Sequence, residues 1–430
     1  MNEIEITGTD SNIQREELKH SFGFKGGYLT ELWQNIVHLK SKNGFDAIGM
    51  ATQSVLYGDS NVFASTSEFN ANALMYEVTN RALKRINGYQ FDSPMVLLDQ
   101  IIPQLYQEAK EITGIDHLNI NFLYNALSSI DNALWLLYAA ENSISTFRDM
   151  IPIPYKTALS HQNKKIAIMF QVSYDMSIDD IVKAADNGYF IFKIKTGFPG
   201  SPEEMLRKDI QRLTEIHQAL KAIKTTQTPT GKLYYTMDAN GRYPDKKTLL
   251  RYLDHARTIG AFDHILLYEE PFMADNNENV SDIGVLIAAD ESIHSEKDAY
   301  TKLNLGYGAF VLKGIAKTLS STIKIAKIAC DHQIPCICSD LTVNPILVDW
   351  NKNVAAAVAP FPSLGMGIME TNGDMNYKNW TTMKARHPYP TARWANAING
   401  IFELDDHYYE KAGGIFDIPI YYRNLFKPRP

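Results

Sequence analysis

A series of positions in this chain carries residue types suited to proton transfer and metal binding. Lys193 and Lys195 stand two apart, as do Asp238 and Asn240. Glu269 and Glu270 lie side by side in LLYEEPFMAD, directly after an apolar run. Asp290 and Glu291 follow VLIAA, Lys313 follows GAFVL, Ser339 and Asp340 follow PCIC, and Glu370 follows GIM. Taken singly, each is an ordinary solvated rim charge. As a set they say more, because three successive apolar segments end in carboxylates and the segments on either side end in lysines. Carboxylate oxygens brought to one place repel unless a cation lies among them. Mg2+ suits that position, since it takes carboxylate oxygens octahedrally and keeps sites open for substrate. On this reading Glu269 is a metal ligand, and Glu270 and Glu291 are left to pair with lysines or to hold the ligands in place.

The elements that must position these residues repeat regularly from about residue 165. IAIMFQVSYD reads as a strand and SIDDIVKAADNG as a helix with a Ser cap. YFIFKIKTG is followed by SPEEMLRKDIQRLTEIHQAL, which opens with Ser201, Pro202 and acids in its first turn, the chemistry of a helix start. KLYYTMDAN, HILLYEEPF, VLIAADES, GAFVLKG, PCICSD and GIMETN continue the strands. Helical patterns separate them, including a short stretch near VSDIG and a helix capped by Asn344 with Pro345 at its first position. Near-continuous apolar strands alternating with amphipathic helices indicate a parallel sheet. Eight such units fit a closed (β/α)8 TIM-like barrel, an α/β fold. An open doubly wound sheet is the competing fold, but no glycine-rich turn follows the first strand. In such a barrel the C-terminal strand ends build the active site. Residues two apart on a strand share a face, so Lys193 and Lys195 point the same way, as do Asp238 and Asn240.

Residues 1–150 read as an α+β capping domain. ELWQNIVHLKSKNGFDAIGMATQSV gives antiparallel strands joined at the KNG turn, and helical patterns run from about Asn70 to Glu141. Residues 151–390 are the barrel. Residues 391–430 are aromatic-rich, do not fit the barrel period, and are expected to pack back on the cap and complete it. HSFGFKGGYL suits a mobile flap, with Phe22, Phe24 and Lys25 as substrate contacts, or a plain strand connection.

The 430 residues are 45% hydrophobic, which suits a globular core, and Lys+Arg 42 against Asp+Glu 49 gives a net charge of −7. No basic stripe points to nucleic acid or an anionic membrane. No apolar run approaches the roughly 18 residues of a membrane span. MNEIEITGTD has neither the basic nor the apolar part of a secretory signal. Cys330, Cys336 and Cys338 are few and odd in number, which fits buried thiols in a reducing, cytoplasmic setting better than a disulfide framework or a metal site.

Lys193-Ile194-Lys195, Asp238-Ala239-Asn240, Glu269-Glu270-Pro271, Asp290-Glu291-Ser292 and Lys313, in this order on successive strands, resemble the enolase superfamily. The nearest pattern is its muconate-lactonizing-enzyme subgroup, within the mandelate racemase/muconate lactonizing enzyme family. SSIDNALWLLYAAEN resembles the helix that precedes the barrel there, so the likeness covers most of the chain. The resemblance implies Asp238, Glu269 and Asp290 as ligands of one Mg2+, with Lys193 and the metal binding a substrate carboxylate. It implies abstraction of the proton on the adjacent carbon, through a metal-stabilised enediolate, with Lys195 and Lys313 on opposite faces of the substrate. A cation stabilises the charge that develops on the carboxylate by several kcal/mol. A lysine base must be neutral, and bringing its pKa from about 10.4 to about 7–8 amounts to about 4 kcal/mol. The metal and a second ammonium nearby serve that end. Homo-oligomerisation is expected by family analogy alone.

Two opposed lysines permit racemisation or epimerisation of a carboxylic acid derivative, such as an amino acid or dipeptide derivative. They also permit dehydration (of an acid sugar, or as in an o-succinylbenzoate synthase) and cycloisomerisation. Mandelate racemase would want a His–Asp dyad on strands seven and six, which is missing. Lys313 is followed by Gly314-Ile315-Ala316-Lys317-Thr318, without the paired glycines frequent in dipeptide epimerases and muconate cycloisomerases. METNGD lacks the Asp-x-Asp that holds a dipeptide ammonium group. Asn240 is read as a partner of the metal site, and Asp340 and Glu370 either as contacts for a polar substrate or as rim and supporting groups. A non-catalytic binding protein of the same fold would not need opposed bases, and a metal-free hydrolase would leave the lysines unexplained.

Overall fold

The apolar runs between residues 165 and 370 close into a ring. In the computed structural model, which describes residues 3–24 and 27–427 with backbone alone at residues 22–24, eight segments form barrel strands one to eight. They are Lys165–Val172, Ile191–Lys195, Tyr234–Asp238, Ile265–Glu269, Ile287–Ala289, Ala309–Leu312, Cys336–Cys338 and Gly367–Glu370. Each pairs parallel with the next, and strand eight returns to strand one from Gly367↔Ile166 to Glu370↔Met169. The strands are buried almost throughout, as the continuous apolar runs required.

Outside the ring lie helices whose starts follow local chemistry. Pro202–Leu220 begins with a capping box between Ser201 and Glu204, and Pro345–Ala357 begins on the Asn344 side chain. The stretch near VSDIG is turn rather than helix. The Asn279 side chain accepts the Ser281 N–H, and Gly284 takes a left-handed φ of 85°, so no second turn can wind. At the opposite ends of the strands, toward the mouth, Asn240, Glu270, Thr318 and Thr342 all have positive φ (46°, 36°, 69° and 58°). Such backbone is costly without glycine and collects where a fold must aim particular side chains.

The cap holds a four-stranded antiparallel sheet of Ile4–Phe24, Gly27–Ser41, Asp46–Gln53 and the short Gln90–Phe91. HSFGFKGGYL is the tip of the hairpin between the first two strands, and Lys25 lies outside the described residues. Helices Glu68–Ile86, Pro94–Thr113 and Ile120–Glu141 cover the sheet. The last is apolar nearly all round and buried from Asn121 to Ala139, except Tyr124. It lies so close to the sheet that a Cβ on Gly49 would sit 2.1 Å from the Ser129 carbonyl oxygen, which explains the glycine there. Its far side ties to the barrel. Asp131 accepts from the Ser320 N–H (3.0 Å) and hydroxyl (2.6 Å), and the Trp135 indole donates to Ser320 Oγ (3.0 Å).

The C-terminal segment does two things. Ile401–Glu403 pairs antiparallel with Lys165–Ala167, at the start of strand one, before strand two begins to pair at Met169↔Ile191. This part therefore joins the barrel and not the cap, because strand one has free edge groups there. Further on, Tyr421 accepts from Gln14 Nε2 at 2.5 Å and Phe426 lies against His38 (ring centroids 5.1 Å), so the end of the segment reaches the cap sheet. Among the described residues no helix is long and apolar enough to cross a membrane.

Candidate active site

Strand register brings the chemistry-bearing residues to one level. Lys195 pairs with Asp238, and Asp238 with Glu269, across strands two, three and four. Asp290 and Lys313 follow the last residues of strands five and six, and Glu370 ends strand eight. A cavity partly open to solvent lies over them. Lys193, Lys195, Asp238, Asn240, Asp290, Glu291, Lys313, Asp340 and Glu370 all reach it. Glu269 sits behind them, wholly buried, and Glu270 lies to the side.

Each lysine has a definite set of partners. Lys195 Nζ is 2.5 Å from Asp238 Oδ2 and 3.0 Å from Asn240 Oδ1, while the Asn240 amide donates to Glu291 at 2.9 Å. Lys313 Nζ is 2.5 Å from Asp290 Oδ2 and lies 4.6 Å from the centroid of the Tyr57 ring. Lys193 Nζ donates to Glu269 Oε1 (2.9 Å), Ser339 Oγ (2.8 Å) and Glu370 Oε2 (3.1 Å). An ammonium has three N–H donors, so in this arrangement Lys193 keeps none for a substrate carboxylate. A further lysine, Lys317, donates to Asp290 Oδ1 at 3.1 Å.

Glu269 and Glu270 stand side by side for different purposes. Glu269 continues the strand into the barrel interior, whereas the left-handed backbone at Glu270 swings its carboxylate onto the next turn. There Glu270 Oε2 accepts from the Asp290 N–H (2.6 Å) and the Ser292 hydroxyl (3.0 Å), fixing the turn that carries Asp290. Asp340 works likewise. Its carboxylate takes the backbone N–H groups of Leu341 (2.7 Å), Val343 (3.2 Å) and Asn372 (2.9 Å) and so shapes the loop after strand seven.

The electrostatics follow from burial and crowding. Burial and the neighbouring carboxylates Asp238 and Asp290 push Glu269 well above the usual range, more than Lys193 offsets. Burial would raise Asp238 too, but Lys193 and Lys195 outweigh it and hold its carboxyl at about 2. Asp290 is likewise held well down against burial by Lys313, Lys317 and Lys193. Burial with Glu291 nearby lifts Glu270 to about 7, and burial with Glu370 nearby lifts Asp340 to about 7. Burial alone would lower Lys193 and Lys313, yet Asp238 and Asp290 respectively lead the carboxylates that raise both.

The donor types fit Mg2+. Three carboxylates from adjacent strands lie buried together, and Glu269 is starved of positive charge. Lys193 Nζ lies 2.9 Å from both Glu269 oxygens but in hydrogen-bonding direction only for Oε1, so Oε2 keeps its lone pairs uncommitted. Among the described residues no three such side chains stand as a finished metal cage. The oxygens of Asp238 and Asp290 are drawn instead to Lys193 and Lys195 and to Lys313 and Lys317. A cation here would have to share these carboxylates with the lysines.

Several lining groups carried no clear sequence signal. The cap contributes Leu29, Leu32, Ser54 and Tyr57, and the barrel adds Gln171, Thr342 and Asn372. Gln171 is a lone polar residue near the end of the apolar run IAIMFQV, which was a usable clue. Its Oε1 accepts from Asn372 Nδ2 at 2.9 Å. Phe24 and Lys25, expected as substrate contacts, lie with Phe22 outside what is described of the side chains.

The fold and this lysine–carboxylate set define a capped parallel barrel with a cluster of lysines and carboxylates at the C-terminal strand ends. Residues 178–387 match the family model described as enolase C-terminal domain-like, so this part of the chain is similar to that family. Solved structures extend the likeness to the cap. A mandelate racemase/muconate lactonizing protein from Herpetosiphon aurantiacus superposes with a TM-score of 0.63 at 14% identity, covering 93% of this chain and 96% of its own. A dipeptide epimerase from Enterococcus faecalis V583, complexed with Mg and the dipeptide L-Leu-L-Tyr, gives 0.62 at 16% identity, covering 87% and 92%. An N-succinyl Arg/Lys racemase from Bacillus cereus ATCC 14579 gives 0.60 at 15%, covering 87% and 89%. At these identities the likeness is one of fold. No curated protein sequence matches the chain.

Proposed function

We propose that this chain is a Mg2+-dependent enzyme that removes the proton next to a substrate carboxylate and returns one from the opposite side, as a racemase or epimerase. The observation that carries the reading is the placement of Lys195 and Lys313. Strands two and six are four apart in a ring of eight, so the two amines approach one cavity from opposite walls. Asp238, Glu269 and Asp290 stand on the three strands between them. Lys195 serves one face of the substrate, steadied by Asp238 and Asn240. Lys313 serves the other, steadied by Asp290 and backed by the Tyr57 ring. Lys193 orders the carboxylates at the floor. A divalent cation held by Asp238, Glu269 and Asp290 would supply Lewis-acid stabilisation of the charge that builds on the substrate carboxylate.

The cavity walls favour a substrate class. Glu370 is engaged by Lys193 and Ser339, and Asp340 by three backbone N–H groups. A free substrate ammonium would find no uncommitted carboxylate there. Gln171, Asn372 and Thr342 are hydrogen-bonded to one another as an uncharged polar patch of the wall, with Leu29 and Leu32 on the cap side, which suits a neutral polar group better than an ion. An N-acylated amino acid, or another carboxylic acid with a neutral polar substituent, fits better than a dipeptide with a free amine. One observation favours a second outcome. The close contact with Asp290 holds the proton of Lys313 firmly, so its ammonium can steady the intermediate by charge without giving that proton up, as in dehydration or cycloisomerisation.

The test is incubation of N-acyl amino acids, dipeptides and acid sugars with the protein and Mg2+ in deuterated buffer. The expected result is gain of one mass unit at the carbon beside the carboxylate, with inversion for a racemase and loss of water for a dehydratase. Wild-type exchange persisting in both Lys195→Ala and Lys313→Ala would overturn the assignment.

A further inference from the structure

One lysine at the mouth has no part in the chemistry proposed above. Lys317 lies in the turn that departs from the paired glycines of the resembling families. Its side chain is 5% exposed. The ammonium donates to Asp290 Oδ1 (3.1 Å), to the Asp290 carbonyl, and to the Ile293 carbonyl (3.2 Å). Its three donors are thereby spent. Lys193, Lys195 and Lys313 reach the cavity, but Lys317 is not among its lining residues. Whatever Lys317 does therefore passes through Asp290 and the turn behind it.

The backbone builds this contact deliberately. The N–H groups of Ala316 (2.9 Å) and Lys317 (2.8 Å) both donate to the Lys313 carbonyl, winding one turn that sets the two lysines on the two oxygens of one carboxylate. Thr318, left-handed at φ 69°, ends the turn, and its hydroxyl caps the next helix by accepting the Ser321 N–H at 3.2 Å. Charge gives the contact its meaning. Lys317 places a second ammonium on Asp290, whose other oxygen Lys313 already holds. A divalent cation gains less from a carboxylate that two fixed cations already share than from one with a single cation beside it.

We propose that Lys317 is a positioning residue that acts as a fixed cation on Asp290, restricting that carboxylate toward a metal and keeping the divalent-cation affinity of the site low. The proposal rests on the reading in which Asp238, Glu269 and Asp290 hold the cation. On this assignment the site fills and empties with the free Mg2+ concentration instead of retaining its metal.

The probe is Mn2+, followed by loss of the free-ion EPR signal as the full chain is titrated. Lys317→Gln removes the charge and keeps a donor, Lys317→Met keeps only the stem, and Lys317→Arg keeps the charge. The neutral variants should bind Mn2+ about tenfold more tightly than wild type, and Lys317→Arg should stay within about twofold of it. A purely structural lysine would give the opposite sign, because a loosened turn weakens ligation. Equal or weaker binding by Lys317→Gln, with wild-type binding intact, would overturn the proposal and leave the cation reading standing. No Mn2+ binding by wild type or by either neutral variant would overturn both. If Lys317→Met fails to fold by circular dichroism, the Gln and Arg variants decide the matter between them.

Discussion

Two regions of this molecule bury lysines among carboxylates, and they are built on different plans. In Pro345–Ala357, Asp349 and Lys352 lie three residues apart on one helix and are both buried. Asp349 Oδ1 takes Lys352 (2.8 Å) and Oδ2 takes His387 (2.9 Å), while Lys352 also donates to the Trp394 carbonyl (2.8 Å) and lies 4.1 Å from the Phe402 ring centroid. Every charge there is answered by a local partner. At the barrel mouth the partners come from separate strands and answer one another incompletely. Glu269 is left short of positive charge while Asp290 has more than one lysine. A closed pair holds structure together, whereas a crowded and unevenly matched set can respond to an arriving cation or substrate.

The contrast can be broken by substitution, and the largest effect belongs to the mouth. Lys195→Ala and Lys313→Ala should each lower α-proton exchange by roughly 10²–10⁴-fold, with circular dichroism showing the fold retained. Asp349→Ala should do the reverse. It leaves Lys352 buried beside His387 with no carboxylate, which should cost about 3–5 kcal/mol in denaturant unfolding while exchange per folded molecule holds.

A smaller effect sharpens the comparison at the junction of cap and barrel. Burial lifts Asp131 from 3.8 to about 6, against the opposing bonds from Ser320. Because the folded state holds this proton more firmly than the unfolded one, the stabilisation is fully present below about pH 4 and is lost as pH rises through about 6. The loss is worth about 3 kcal/mol. Asp131→Asn should remove that fall, seen as a flatter plot of unfolding free energy against pH across this window. Smallest of all, Asn240→Ala should reduce exchange about tenfold, or about 1.4 kcal/mol, because it frees Lys195 and Glu291 from their shared amide. Unchanged exchange would place Asn240 outside the working site.

The barrel was legible in the sequence because parallel strands buried on both faces must be apolar throughout, so each polar strand end stood out against its own segment. Lys193, Lys195, Asp238, Glu269, Asp290 and Lys313 were visible for that reason. Lys317 was not, since it sits in a turn where a lysine looks like any surface charge. Its ammonium is held by Asp290 and the Ile293 carbonyl, partners that come from a different strand end. Tyr57, Leu29 and Leu32 were hidden for another reason. Nothing in a cap sequence says which of its segments will lie over the barrel. Ile401–Glu403 is too short for a periodic signal, and its place is set by the unpaired start of strand one. The VSDIG stretch misled because local apolar spacing was outweighed by an Asn turn and a left-handed glycine.

The contact between Gln14 and Tyr421 spans 407 residues of chain. At a synthesis rate of about 5–20 residues per second, the first cap strand emerges roughly 20–80 s before its distant partner exists. Through that interval the Gln14 side chain stands without the segment that later covers it, so the cap is the part of this protein for which a chaperone would be waiting.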